Sequence, residues 1–113
     1  MTKDEAIACL RRYRRTRTDM PSTQLLGWKM NYEFKRAVFE RYLILGLIEQ
    51  IRQSDCSPMT VVQNFYDAMD DMVCNSESAL TWGFASIMES CAADILMYLR
   101  AEQLKEKRRK DHE

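Results

Sequence analysis

The chain has 113 residues, 46% of them hydrophobic, and its 17 Lys and Arg are balanced by 17 Asp and Glu. That length fits one domain with one core, and the zero net charge argues against nucleic-acid binding driven by overall charge. Three glycines and two prolines are too few for a fold with many strands and tight turns. We therefore expect a single helical domain over residues 1–113, with the last few residues frayed.

The first predicted helix begins at a capping box, in which the Thr2 hydroxyl accepts a hydrogen bond from the amide of Glu5. It is expected to end near Thr18, because Pro21 disfavours helical backbone in the residue before it. Residues 23–32 fit either a helical turn or a packed loop. The apolar face of this first helix consists of Ala6, Ile7, Cys9, Leu10 and Tyr13.

The second predicted helix runs from about residue 31 to 53, and its stretch 34–51 is apolar on nearly every side in the later half. Such a helix needs several neighbours to cover it, so we expect a very apolar central helix at about 34–53. Leu45 is assigned to its buried stripe, which predicts that Leu45→Asp unfolds the domain. The apolar run from Tyr42 to Ile48 is too short to cross a bilayer, which takes roughly 20 residues.

Two more helices follow. Ser57 before Pro58 is typical of a helix start and predicts a third helix over about 58–74. Residues 75–78 form another capping cluster, and a long C-terminal helix is predicted from about Ala79 through Leu104 into the charged stretch 105–110. The sequence thus predicts an all-α antiparallel four-helix bundle. The core side chains expected from these two helices are Val61, Val62, Phe65, Met69, Met72, Val73, Leu80, Phe84, Ile87, Met88, Cys91, Ile95, Leu96 and Leu99.

Charge is distributed unevenly along the chain. Residues 1–53 carry a net charge of +5, residues 54–99 contain seven acids and no base, and residues 100–113 carry +2. One interpretation is that the acidic segment imitates a nucleic-acid backbone and docks in a basic groove of a partner protein. The other is that it faces the arginines of the first helix within the same molecule. The predicted protein-binding residues are Asp67, Asp70, Asp71 and Glu77.

The first helix carries an arginine-rich run with one tyrosine in it, a composition typical of phosphate contacts. Its arginines wrap around the helix and form no single stripe, so a solvated helix face is the competing interpretation. Nucleic-acid binding by an accessory factor or transcriptional regulator is therefore the alternative function. The residues concerned are Arg11, Arg12, Arg14, Arg15 and Arg17.

Catalytic motifs are missing from the sequence: it has no glycine-rich phosphate loop, no Gly-x-Ser-x-Gly and no Cys–His pair, and its single histidine is His112. We expect no enzymatic activity, no cofactor and no metal site, since structural zinc needs four converging soft ligands. No signal-peptide character is present, which predicts a cytoplasmic location with free cysteines. Cys9, Cys74 and Cys91 are expected to be buried and Cys56 exposed.

Eight methionines and eleven aromatic residues (two Trp, five Tyr and four Phe) fill either the core or an adaptable interface. Trp28, Trp82, Met20 and Met30 fit no buried face, so they are candidates for exposure. The apolar surface of 34–51 and 80–99 exceeds what two short helices cover, which predicts a homodimer.

Two stretches, AIACLRRYR at 6–14 and FASIMESCAADILMYLR at 84–100, resemble those of small helical accessory proteins from phages and mobile elements of Gram-positive gut bacteria. The resemblance implies a role in transcriptional control or in countering host defences, anti-CRISPR inhibition included. We therefore expect a regulator or inhibitor that binds a host or phage protein stoichiometrically, with a nucleic-acid-handling effector as the expected target.

Overall fold

The computed structural model describes residues 1–16 and 28–112, which form four α-helices and, over those residues, no strand. In chain order they are α1 (Lys3–Thr16), α2 (Trp28–Gln53), α3 (Pro58–Asn75) and α4 (Ala79–His112). The all-α prediction is confirmed, and the helix bounds differ from the predicted ones by a few residues. The largest difference is at the start of α2, which lies three residues before the predicted start at residue 31. The predicted helix end near Thr18 and residues 23–27 lie outside the described residues, whereas residues 28–32 belong to α2.

Three helix starts are capped as the sequence predicts. The amide of Glu5 donates to the Thr2 hydroxyl at 3.2 Å, and the amide of Thr60 donates to the Ser57 hydroxyl at 3.2 Å. At the start of α4, the amide of Thr81 donates to Ser78 at 3.4 Å. Each bond satisfies a backbone donor that has no partner within its own helix.

The core lies where α2 and α4 meet the two other helices, and the most extensive packing is between α3 and α4. All five apolar residues predicted for α1 are buried, because the period of that helix leaves one narrow apolar face. The largest fully buried side chains are Leu10, Ile44, Leu47, Ile51, Val62, Cys91, Ile95 and Leu99.

The outer face of α2 corrects a prediction. Leu45, assigned to the core, is 45% exposed, and Tyr42 is 68% exposed, whereas Leu47 is 1% exposed. The neighbouring helices cover one side of α2 only, so its apolar residues on the other side face outward. The start of α4 behaves similarly, since Leu80 and Phe84 are exposed. Apolar composition alone does not force burial, because more than half of a protein's surface is apolar.

The cysteine predictions are confirmed for three residues and wrong for one. Cys9 and Cys91 are buried and Cys56 is exposed, but Cys74 is also exposed. Cys74 lies in the last turn of α3, beyond the part of that helix whose residues enter the core. Of the helices described, none combines the length and the hydropathy needed to cross a membrane.

A polar network joins α1, α2 and α4 at the edge of the core. Glu40 is buried and accepts hydrogen bonds from the Tyr13 hydroxyl at 3.1 Å and from Arg36 at 3.2 Å. The Arg36 guanidinium also pairs with Asp94 and donates to Ser90 at 3.4 Å. These bonds satisfy a buried carboxylate and fix α2 against both neighbours.

Candidate protein-interaction surface

Three of the four predicted acidic residues lie exposed along α3. The side-chain amide of Gln63 donates to the carboxylate of Asp67 at 3.0 Å. The side-chain amide of Asn75 donates to the carboxylate of Asp71 at 2.8 Å. The side-chain partners of Asp67 and Asp71 are therefore neutral amide groups one turn away on the same helix. The fourth residue, Glu77, is exposed in the link between α3 and α4, just beyond the end of α3 toward which Asp71 lies.

A fifth acid joins this set from α4. The carboxyl group of Glu89 lies beside that of Asp70, and its Oε2 is buried without a hydrogen-bond partner in the described part of the chain. Burial, followed by the charge of Asp70, raises the pKa of Glu89 above its ordinary value. We call Asp67, Asp70, Asp71, Glu77 and Glu89 the acidic surface.

Three of these acids, Asp70, Asp71 and Glu89, lie where acids reduce the stability of the fold. Asp71 falls near the C-terminal end of α3, where the helix dipole favours cations, and the last turn of that helix contains no base. Asp70 and Glu89 repel each other across the α3–α4 interface when both are ionised, and they share a hydrogen bond when Glu89 is protonated. The acidic surface therefore contributes little to holding the helices together.

Two basic residues limit the acidic segment. Arg100 donates to Gln63 at 2.9 Å, and Gln63 in turn donates to Asp67. A basic side chain therefore lies at the edge of the acidic surface. Asp94 also belongs to the acidic segment 54–99, but it is not part of the acidic surface, because it forms an ion pair with Arg36 of α2. The idea of internal counterions thus holds for Asp94, which pairs with Arg36 of α2.

Trp82 and Cys74 add exposed non-charged groups beside these acids. Trp82 is 50% exposed, as predicted, and it precedes Glu89 by seven residues, so both side chains lie on the same face of α4. Cys74 follows Asp70 by four residues on α3 and is also exposed. Met20 lies outside the described residues, as do the side chains of Trp28 and Met30.

The arginines of α1 divide into two groups. Arg12 is engaged with α4: its guanidinium pairs with Glu102 at 3.7 Å and donates to the sulfur of Cys9 at 3.0 Å. A side-chain hydrogen bond with Tyr98 raises the pKa of Arg12 above its ordinary value. Arg11 and Arg15 are exposed and Arg14 is half-buried, while Arg17 lies outside the described residues. Of the predicted phosphate-binding residues that the structure describes, Arg12 is thus engaged with α4, whereas Arg11 and Arg15 are exposed on α1.

Comparison with protein-family models, with curated proteins and with solved structures found no match. Within residues 1–16 and 28–112, no three His, Cys, Asp or Glu side chains are grouped as a metal site requires.

The sequence did not single out Glu89 or Asp94, because their roles depend on which residues face them across a helix interface. Spacing along one helix does not determine that register. The signal for the buried network was weaker but present, since Arg36 and Glu40 are four residues apart on α2.

Proposed function

We propose that this protein is a non-enzymatic regulator or inhibitor that binds another protein stoichiometrically through the acidic surface. The partner then carries a basic groove, as a nucleic-acid-handling effector does, and occupation of that groove excludes its nucleic acid. This is the mode of action expected of an anti-CRISPR-like inhibitor of phage origin acting in the cytoplasm.

The observation that carries this proposal is that three surface acids, Asp70, Asp71 and Glu89, lie where acids disfavour the fold. Asp67, Asp70 and Asp71 are exposed and contact Gln63, Glu89 and Asn75, none of which is a cation. Residues that reduce stability persist in proteins where function requires them. A basic partner would supply the counterions, and its association would be accelerated by the opposite charge.

The proposal includes the finer architecture, in which consecutive helices of the bundle run antiparallel. Contacts between helix ends support it: Lys3 of α1 donates to the carbonyl oxygen of Arg52 at 3.5 Å, while Tyr13 contacts Glu40. On the other side, Gln63 meets Arg100 and Asp70 meets Glu89. This arrangement presents α3 and the first half of α4 as one outward surface.

Affinity capture from a nuclease-treated bacterial lysate tests the proposal. The wild-type chain is compared with a triple variant in which Asp67, Asp70 and Asp71 become Lys. A matched control replaces Asp4, Asp55 and Asp111 by Lys, which changes the net charge equally at exposed positions elsewhere. We expect the control to retain the captured protein and the triple variant to lose it. Equal capture by both variants would refute the proposal.

Nucleic-acid binding is the second candidate function, and the exposure of Arg11 and Arg15 four residues apart on α1 favours it. A gel shift at increasing salt tests it, because phosphate contacts weaken steeply as counterions are added. Replacing Arg11 and Arg15 by Ala should then weaken binding, while the triple variant of the acidic surface should strengthen it.

A further inference from the structure

The outer face of α2, which none of the described helices covers, is apolar and self-complementary. Phe34, Tyr42 and Leu45 are exposed, Val38 is half-buried, and their spacing of three and four residues places all four on one stripe. We propose that this stripe pairs with the same stripe of a second copy, antiparallel, about a two-fold axis through Tyr42. The pairing does not depend on the acidic surface, which lies on α3 and α4.

The charges beside the stripe select a second copy as the occupant. Lys35, Tyr42 and Glu49 follow one another at seven-residue steps, so they lie along one line of the helix. A two-fold axis at Tyr42 places Lys35 of each copy against Glu49 of the other. Glu49 lies 3.7 Å from Arg52 of its own helix in an exposed pair, and in the dimer it also forms an ion pair with Lys35 of the second copy. Parallel pairing would instead set Lys35 against Lys35 and Glu49 against Glu49, and like charges would oppose it. Symmetry of this kind is the usual one for a homodimer.

The position of Gly46 is a second reason to expect a second copy on this face of α2. It lies in the interior of α2 on the exposed side, where glycine weakens a helix relative to alanine. A Cβ at this position would meet nothing within 4 Å in the same molecule, so packing within the chain does not require glycine there. The two-fold axis places Val38 of the second copy opposite Gly46, so the missing side chain leaves room for Val38 or its backbone to approach closely.

A charge exchange tests the pairing by sedimentation equilibrium of the full chain over a range of concentrations. Glu49→Lys alone should weaken the dimer by roughly tenfold or more, since it brings two pairs of like charges together. Lys35→Glu alone should do the same. The double variant, Lys35→Glu with Glu49→Lys, should restore the dimer, because the ion pairs re-form with their signs exchanged.

Glycine variants provide a matched pair that requires no charge change. Gly46→Ala should weaken the dimer, whereas Gly83→Ala should leave it unchanged. Gly83 is also within a helix and its added Cβ would also meet nothing within 4 Å, but it lies on α4. A circular dichroism spectrum of each variant checks that the helices remain.

The outcomes separate clearly. A dimer that the single charge reversals weaken, the double variant restores and Gly46→Ala weakens would support the pairing. A wild-type chain that stays monomeric at high micromolar concentration would overturn it. Self-association that ignores these substitutions would overturn it as well, because the interface would then lie elsewhere on the protein.

Discussion

The carboxyl group of Glu89 on α4 lies beside that of Asp70 on α3, and burial together with this like charge raises the pKa of Glu89. An acid whose pKa is higher in the folded protein binds protons more readily there than in the unfolded chain. Its contribution to stability is therefore complete below its ordinary pKa of 4.5. The contribution is lost as the pH rises through the folded-state pKa.

Glu89→Gln should remove that loss. At neutral pH the variant should be more stable than the wild type by roughly 0.2–1 kcal/mol, the range measured for solvent-screened charge pairs. The advantage should disappear below pH 4.5, where Glu89 is protonated in both states. Urea unfolding at the two pH values measures both differences. A variant that is less stable than the wild type at neutral pH would show that ionised Glu89 stabilises the fold.

Reversing the acids of α3 should also stabilise the protein. With Asp67, Asp70 and Asp71 changed to Lys, the end of α3 would carry cations that its dipole favours, and a lysine would face Glu89. We expect the unfolding free energy to rise by about 1 kcal/mol. Thermal unfolding measures the change. Asp4→Lys is the control and should lower the stability, because Asp4 lies in the first turn of α1, where the helix dipole favours an acid. A melting temperature lower by many degrees would mean that the acids are internal counterions.

Neighbouring leucines of α2 should respond differently to the same substitution. Leu47 is 1% exposed, so Leu47→Asp buries an unpaired carboxylate and should cost at least several kcal/mol. Leu45 is 45% exposed, so Leu45→Asp should cost less than about 1 kcal/mol in the monomer. Circular dichroism at low concentration separates them, with the Leu47 variant unfolded and the Leu45 variant helical. Unfolding of both would show that α2 is covered on both sides.

This pair also shows how far the sequence predicts the structure. Periodicity identified the four helices and the buried face of α1, and capping residues identified three helix starts, because those features depend on residues within about two turns of one another. Periodicity failed for Leu45, since a helix that is apolar on several sides does not specify which side its neighbours cover. It failed for Cys74 because that residue lies beyond the part of α3 that enters the core. The contacts of Glu89 with Asp70 and of Arg36 with Asp94 depend on helix register, which spacing along the chain does not determine.

Removing the cation of the buried network should be costly. In Arg36→Leu, Glu40 loses its counterion while 5% exposed, and breaking a buried pair in this way costs about 3–5 kcal/mol. The double variant Arg36→Leu with Glu40→Leu should be more stable than the single one, because no buried carboxylate is left unpaired. Urea unfolding of both variants checks this order. If the single variant is as stable as the double one, Glu40 is sufficiently hydrated without Arg36.

The rate of association with the captured partner tests the role of the acidic surface most directly. A fluorophore on the exposed Cys56, with Cys74 changed to Ser, reports binding from a position outside the acidic surface. The account predicts a fast association rate constant that falls by more than about tenfold as salt rises, and a slow, salt-independent one for the Asp67, Asp70 and Asp71 triple variant. A rate constant that ignores salt, or that the triple variant leaves unchanged, would contradict it.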